Sequence, residues 1–579
     1  MDSLTPTADT ALICAQIEAA PGLARLRERL GPSADVGPEI IAAILDEASR
    51  FADARLAPLN LACDRSGCRL EDGRVRTAPG HVETWTAYTE AGWLGIDQPL
   101  DHGGQALPMV VLAACQEVFD RSCIAFGMAA TANRAAARLI GAHASEALSA
   151  EWLPRLVSGE WAATICISEP DAGSDVGRIR TFAEPMEDGS WSVTGEKIWI
   201  SYGDHDLAAR IGHCLLARTP DAAPGAAGLS LFLVPDTLIG GDGIARRNSI
   251  VVRRLEEKLG LHGSPTCALG FEGARGQLIG TPGRGLAQLF TMIATMRLMV
   301  SVQGLAIGSG AADVAFAYAE ERRQGGPADA PALPITRHAD IQRLLLEMTS
   351  RIEVTRGLIL AAAVYADLAR LEPDPADREP AQALVQWLLP IAKTFAAEAG
   401  FDTASDAIQV LGGAGYVRDW PVEQALRDSR VFAIFEGTSG IQALDLVHRR
   451  LRREDGKGLK AFLALARGDV DRHQADLPAA AMALAQVLDR LEADSASLMD
   501  AAASDAAAYP YLRLAALAAT GWCALRFTAL DCGAPPGRRL AAAGRRWLAD
   551  LPARAAVESA RIQAAADTAA LFEAVRPEN

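Results

Sequence analysis

No Cys-x-x-Cys pair, no His-Glu-x-x-His run and no sustained heptad occurs anywhere in the 579 residues. The ten cysteines are scattered, and the nearest pair, Cys63 and Cys68, lacks the companions of a zinc site. The nine histidines show no metalloprotease spacing, so no metal is predicted. Basic residues are in deficit: 56 Lys and Arg face 72 Asp and Glu, for a formal charge of −16. That balance repels nucleic acid and anionic membranes unless a basic patch is concentrated somewhere. No run approaches the roughly 20 apolar residues of a membrane helix, which predicts no membrane insertion. The N-terminus does not read as a signal peptide, because Asp2 comes first and the apolar stretch at Ala11–Cys14 is soon broken by Glu18. The final Arg-Pro-Glu-Asn is no known address signal. Scattered thiols then fit a reducing cytoplasm, the expected location. No repeat period is present, which sets solenoids aside.

What is present is an ordinary globular balance, 50% hydrophobic and 22% charged, over a length that suggests three or four domains. From about Pro38 to Glu160, apolar residues recur at helical spacing, as in Ile41, Ile44 and Leu45 and in Val111, Leu112, Cys115 and Val118. A loop at Gly92–Asp97 and Gly103-Gly104 interrupts them. After Trp161 the chain turns to short apolar runs separated by Gly and Pro. Strands are expected at Ser190–Thr194, Lys197–Ser201, Cys214–Ala217 and Leu229–Val234. Helical spacing returns from Leu286. Expected domains are residues 1–160 (helical), 161–285 (β), 286–453 (helical) and 454–579 (a further helical region).

Four segments carry candidate chemistry. The first, Ile165-Cys-Ile-Ser168-Glu-Pro-Asp-Ala-Gly173-Ser174-Asp175, is a strand running into a loop. Gly lets backbone N–H groups approach a ligand and the hydroxyls can bond a heterocycle or phosphate, although a plain strand-to-turn connection reads the same way. The second is Thr194-Gly-Glu-Lys-Ile-Trp199-Ile-Ser201, where alternation turns Trp199 away from Ile198 and Ile200. A lone strand Trp is more often core than cofactor platform. The third, Gln409-Val-Leu-Gly412-Gly413-Ala-Gly-Tyr416, ends a helix at glycines that also permit close approach of a bulky anion. The fourth runs from the apolar Val431–Phe435 into Glu436-Gly-Thr438-Ser439-Gly440, with Thr438 or Ser439 as N-cap of a new helix. A carboxylate between a buried run and a helix start is either a desolvated base or a partner of the helix dipole.

Together and in this order the four segments resemble the acyl-CoA dehydrogenase family over about residues 39–450. The resemblance implies an α+β fold: an N-terminal α-helical domain, a middle β-barrel domain and a C-terminal four-helix domain, here followed by an extra helical region. That extension resembles a longer branch that includes 3-methylmercaptopropionyl-CoA dehydrogenases. Lys258–Cys267 and Ser201–Asp206 are similar to that branch too. The implied cofactor is FAD. Ile165, Ile167 and Ser168 match the strand along the flavin, Gly173 and Ser174 its loop, Trp199 the aromatic against the ring and Ser201 a hydroxyl near N5. Arg322, Gln409, Gly412 and Gly413 match residues that reach the FAD of a neighbouring subunit, so a homodimer or homotetramer is implied. Thr438 matches a further FAD contact, Arg297 an arginine near the base and Glu436 the base itself.

The implied reaction is α,β-dehydrogenation of an acyl-CoA thioester. Glu436 removes the α-proton, its backbone N–H and a flavin ribityl hydroxyl hold the carbonyl oxygen, and hydride passes to the flavin. Electrons then leave to an electron-transferring flavoprotein. Expected substrates are 3-methylmercaptopropionyl-CoA, which would place the chain in dimethylsulfoniopropionate degradation, or a short- or medium-chain acyl-CoA of fatty acid metabolism. An anionic CoA calls for a basic entrance despite the acidic whole. Gly440 stands where the family usually has a glutamine, and Gln324-Gly325-Gly326 follows Arg322-Arg323 where an aromatic is usual. The rival readings are an acyl-CoA oxidase and, against the charge balance, a nucleic-acid-associated flavoprotein. No catalytic residue is expected after about Glu454.

Overall fold

The computed structural model describes residues 6–31, 36–499, 504–530 and 533–577. Asp2 and the last two residues, read above, lie outside them. In chain order the helices are α1 Thr10–Glu18, α2 Leu23–Leu30, α3 Pro38–Phe51, α4 Ala57–Ser66, α5 His81–Glu90, α6 Met109–His143, α7 Glu146–Ser158, α8 Gly285–Glu321, α9 Ala339–Leu371, α10 Pro375–Leu411, α11 Val422–Ser429, α12 Ser439–Leu444, α13 Lys457–His473, α14 Pro478–Leu498, α15 Ala508–Thr528, α16 Pro535–Ala549, α17 Leu551–Ala564 and α18 Thr568–Val575. The strands are β1 Arg69–Glu71, β2 Arg74–Arg76, β3 Trp161–Cys166, β4 Phe182–Pro185, β5 Trp191–Ser201, β6 Arg210–Arg218, β7 Leu229–Pro235, β8 Thr237–Ile239, β9 Ala245–Arg247, β10 Ile250–Leu255 and β11 Thr266–Ile279. The chain divides into two compact units: residues 50–107 with 122–299, and residues 1–49 with 108–121 and 300–579.

The first unit is built on a closed ladder. β11 pairs with β5 and β7, β5 with β4, β4 with β6, and β6 with β7. Closure removes sheet edges, and β10 and the parallel β3 extend the ladder on β11 and β6. Strands β6 and β7 are buried along nearly their whole length, which is why they read as unbroken apolar runs rather than alternating ones. Val193, Leu215, Phe232 and Phe271 fill the barrel. Trp152, Trp161, Leu139 and Met292 form a second core where helices cover it. Two expectations are corrected. The runs Ser190–Thr194 and Lys197–Ser201 belong to one strand, β5, continuous through Gly195, where a Cβ would stand 2.4 Å from Thr181 Oγ1 and glycine is therefore required. The region 38–160 is not helix and loop alone, since β1 and β2 form a hairpin in it.

The second unit is helical. Helix α8 meets α10 through glycines: a Cβ on Gly304 would stand 2.4 Å from the Ala396 carbonyl, and one on Gly400 2.3 Å from that of Gly304. The residues after 454 share this unit's core. Trp387 of α10 stacks on Phe462 of α13 with centroids 4.6 Å apart, and Phe462 meets Trp522 of α15 edge-on at 5.8 Å. A charge network is buried alongside. Arg356 binds Glu117 at 2.8 Å and also pairs with Glu353, which accepts from Gln16 at 2.6 Å and Arg539 at 3.0 Å. Burial alone would lower the Arg356 pKa, but the two carboxylates raise it.

Helix α8 departs from the expectation of no membrane-length run. It is long and apolar enough to span a bilayer, with mean hydropathy 1.5 over its most apolar window. However, 72% of that window is buried inside the protein, the packing of a core helix.

Candidate active-site elements

In the barrel unit, the loop after β3 is fastened to β5. Thr164 Oγ1 donates to the Ser201 carbonyl at 2.6 Å, Ile198 N to the Ser168 carbonyl at 2.9 Å, and Lys197 Nζ to the Ile167 carbonyl at 3.0 Å. Lys197 has no exposed surface and also binds Glu169 at 2.8 Å. Glu169 in turn accepts from Arg180 N at 2.6 Å, Thr181 N at 3.1 Å and Thr181 Oγ1 at 2.6 Å. Burial raises the pKa of Glu169, but the Lys197 ammonium and these donors outweigh it and hold the carboxyl below its usual range. Burial pulls Lys197 down in turn. Ile165, Ile167, Ser168 and Ser201 are thereby half-buried along one seam, and Gly173 and Ser174 are exposed beyond it.

Trp199 departs from simple alternation. Ile200 stands opposite Cys267 and Lys197 opposite Leu269, so Ile198 and Trp199 together face one residue of β11. This bulge holds Trp199 at φ 62°. Under strict alternation Trp199 would share the buried side of Lys197. Instead Ile200 takes that side and the indole is 58% exposed. Arg297 is buried on α8 in the same unit.

In the helical unit, the candidate segment is the loop between α11 and α12. The expected buried apolar run Val431–Phe435 is only partly buried. It begins in a 3-10 turn, Arg430–Ala433, in which Phe432 is buried, and Ile434 after it is 51% exposed. Glu436, half-buried, sits at φ 53° and is followed by Gly437 at φ 88°. The loop is held at successive atoms. Gln442 Nε2 donates to the Glu436 carbonyl at 2.8 Å, and Lys393 Nζ donates to the Gly437 carbonyl at 2.7 Å. Thr438 caps α12 by accepting from Ile441 N at 3.2 Å. Gly440 leaves open space where a Cβ would meet nothing nearer than Thr438 Oγ1 at 3.8 Å. Beside it lies a cleft of about 510 Å³ lined by Glu398, Arg430, Thr438, Ser439 and Tyr509 among others.

The same unit gathers Arg322, Gln409, Gly412 and Gly413 at one end. Ala315 and Ala319 of α8 share a core cluster with Val410 and Leu411 of α10, and Tyr318 meets Trp420 edge-on at 5.1 Å. Arg322, Gln409 and both glycines are exposed there. Gly412 is the C-cap of α10 at φ 61°, and no atom lies within 4 Å of a Cβ built on it or on Gly413.

Lys197, Lys393 and Gln442, which anchor these segments, were not singled out in the sequence. The chain contains only five lysines, and two of them are these buried anchors. A lysine inside Leu388-Leu-Pro-Ile-Ala-Lys393-Thr-Phe395 was a usable signal, since such a charge is buried only when it has a partner. Among the described residues, no group of three His, Cys, Asp or Glu side chains could hold a metal ion.

Residues 39–160, 164–274 and 283–451 match the N-terminal, middle and C-terminal domains of acyl-CoA dehydrogenases. The 3-methylmercaptopropionyl-CoA dehydrogenase of Ruegeria pomeroyi is 37% identical over 83% of this chain and 84% of its own length. A broad-specificity linear acyl-CoA dehydrogenase of Mycobacterium tuberculosis is 34% identical over 74% of this chain and 72% of its own. The crystal structure of an acyl-CoA dehydrogenase complexed with FAD from Bacillus anthracis superimposes with a TM-score of 0.76 at 19% identity. It spans 100% of this chain and 92% of that one, and so shares the fold.

Proposed function

Because the chain belongs to the acyl-CoA dehydrogenase family and is an enzyme of that class, we propose that it carries out FAD-dependent α,β-dehydrogenation with Glu436 as the base. The observation that carries this reading is the Glu436 loop. A residue at φ 53° with its own carbonyl and the next one both tied down has a fixed backbone, and so a fixed direction in which its side chain leaves the chain. A general base gains from that fixity, because geometry is settled before proton transfer.

The residues present fit a flavin. An exposed indole, an open half-buried seam beside it and a glycine pair with vacant space over both Cα atoms suit a ring system and a pyrophosphate. Ile165, Ile167, Ser168, Gly173, Ser174, Trp199, Ser201 and Thr438 would hold it. Arg322, Gln409, Gly412 and Gly413 would meet that of a neighbouring copy, in a homodimer or homotetramer. When bound, FAD supplies the acceptor for the β-hydrogen as hydride. Glu436 takes the α-proton onto its carboxylate. Arg297 is assigned beside the base by its place in the family pattern. The 37% identical relative makes 3-methylmercaptopropionyl-CoA the first substrate to test, with short- and medium-chain acyl-CoAs after it. Electron-transferring flavoprotein is the assigned acceptor and the cytoplasm the assigned compartment.

The test is Glu436→Gln. Gln keeps the shape but cannot accept a proton, so anaerobic bleaching of the flavin by acyl-CoA should slow by at least the roughly 10²–10⁴-fold typical of a lost general base. The variant should stay yellow and keep binding acyl-CoA. Bleaching at near the wild-type rate would place the base elsewhere.

A further inference from the structure

The helical region beyond residue 454 reaches the loop that carries Glu436. Ser439, the first residue of α12, donates its Oγ to Glu398 Oε1 at 3.0 Å. Glu398 sits on α10, five residues after the buried Lys393 that anchors the Gly437 carbonyl. Its two oxygens are then claimed by α15. Tyr509 OH donates to Oε1 at 2.7 Å and Arg513 to Oε2 at 2.8 Å. Glu398 keeps 18% of its side-chain surface and Arg513 34%, so the pair is largely withdrawn from water. Arg513 also faces Glu558 of α17 at 3.8 Å, which ties the clamp to the next helix of the extension.

We propose that Tyr509 and Arg513 are positioning residues that fix Glu398, and through it Ser439, so that the Glu436–Thr438 loop is held for proton abstraction. This deepens the function proposed above and rests on it for the role of Glu436. Three donors on one carboxylate leave it no alternative rotamer that satisfies all of them, and charge-assisted bonds of this kind are the strong ones. Lys393 and Glu398 present two fixed points to the loop from the same helix, one at Gly437 and one at Ser439. Without α15 only the first has a rigid holder. Tyr509 also lines the cleft beside Thr438 and Gly440, so the extension forms a wall at this loop as well as a brace behind it. Burial and the adjacent Glu398 raise the Tyr509 pKa, so its hydroxyl keeps its proton and remains a donor. This adds to the expectation of no catalytic residue after about Glu454: the extension supplies order and no acid or base.

The experiment uses the full-length holoenzyme with Tyr509→Phe, Arg513→Lys, Ser439→Ala and the double variant Tyr509→Phe/Ser439→Ala. Two readouts are taken: kcat and KM from steady-state turnover of acyl-CoA with an artificial electron acceptor, and hydrogen exchange of the amides at 436–442. Tyr509→Phe should lower kcat about tenfold, as for one charge-assisted bond lost from a transition-state arrangement, with KM and flavin content unchanged. The 436–442 amides should exchange faster in Tyr509→Phe and in Arg513→Lys. Because the effect passes through Ser439, the double variant should be no slower than Ser439→Ala alone. Multiplying effects, or wild-type exchange at 436–442 in both α15 variants, would overturn the proposal. If no acyl-CoA bleaches the wild-type flavin, the proposed function fails, and the exchange readout still decides whether α15 holds the loop.

Discussion

Two loops, one in each compact unit, are built on the same device and supported differently. In the barrel unit a fully buried lysine, Lys197, donates to a loop carbonyl, and two residues on Trp199 is held at φ 62°. In the helical unit a fully buried lysine, Lys393, donates to the carbonyl next to Glu436, itself at φ 53°. Around Trp199 the supports described above come from β3, β5 and the loops that follow β3. Around Glu436 they come from α10, α12 and, through Glu398, from α15, about seventy residues further on. In the proposed function Trp199 is a platform for a ring and needs one orientation, which a sheet supplies locally. Glu436, the proposed base, is approached along several atoms, and helices from distant parts of the chain share that task.

The largest effect that separates the two is expected at Lys197. Lys197→Met leaves Glu169 buried with its charge uncompensated, which costs about 3–5 kcal/mol of stability in the barrel unit. Adding Glu169→Gln should recover much of that loss, because the orphaned charge goes with it. A denaturant midpoint as low for the double variant as for the single one would show that Glu169 is not the source of the cost.

Acid should also act on the barrel unit first. His81, His205 and His213 all lie in it, and burial drives their pKa values from 6.5 down to about 4, 3 and 4. His205 Nδ1 accepts a hydrogen bond from Leu207 N at 3.1 Å, which requires that nitrogen to be unprotonated. The unfolded chain therefore binds protons below pH 6.5 that the folded unit refuses until about pH 4. Stability is fully present above 6.5 and is lost as pH falls through that window, on the order of 3 kcal/mol per histidine. The described histidines of the helical unit are half-buried or exposed. Hydrogen exchange at pH 5 should show β-barrel amides opening before those of α9 and α10; simultaneous opening would break the distinction.

The two loops also differ in how much of each could be read in the sequence. Gly412 as a C-cap and Thr438 as an N-cap were legible, because capping depends on residues within one turn. The barrel was legible as a β region but not in its register. Nothing in Thr194–Ser201 marks the extra residue opposite Ala268 that turns Trp199 outward, since a bulge is fixed by the partner strand. The brace on Glu398 was illegible for the same kind of reason. Nothing in the Ala-rich stretch around Tyr509 and Arg513 marks these two residues, and only tertiary packing brings them to Glu398 of α10.

Next in size is Lys393→Met, which should act on rate rather than on the barrel. With the Gly437 carbonyl released, kcat for acyl-CoA turnover with an artificial electron acceptor should fall about tenfold, equivalent to one hydrogen bond from a charged donor. Lys197→Met, by contrast, should lower stability more than it lowers kcat per folded, flavin-loaded molecule. Equal kcat losses per loaded molecule would erase the difference between a local platform and a remotely held base.

The smallest expected effect concerns the strain the two loops share. A non-glycine residue in the left-handed region carries a cost of roughly 1–2 kcal/mol. Asn tolerates that region better than Trp or Glu, because its short side chain bonds the local backbone. Trp199→Asn and Glu436→Asn should therefore each raise the denaturation free energy of their own unit by about 1 kcal/mol at most. Measurement belongs in flavin-free protein, where linkage to a bound ligand cannot mask the gain. Trp199 is 58% exposed and gives up some packing, so its gain should be the smaller of the two. Both variants should lose bleaching activity, for different reasons: one lacks the ring, the other the carboxylate. If either midpoint falls, the positive φ at that position is a relaxed feature of its turn, and the strain is confined to the loop whose Asn variant gains.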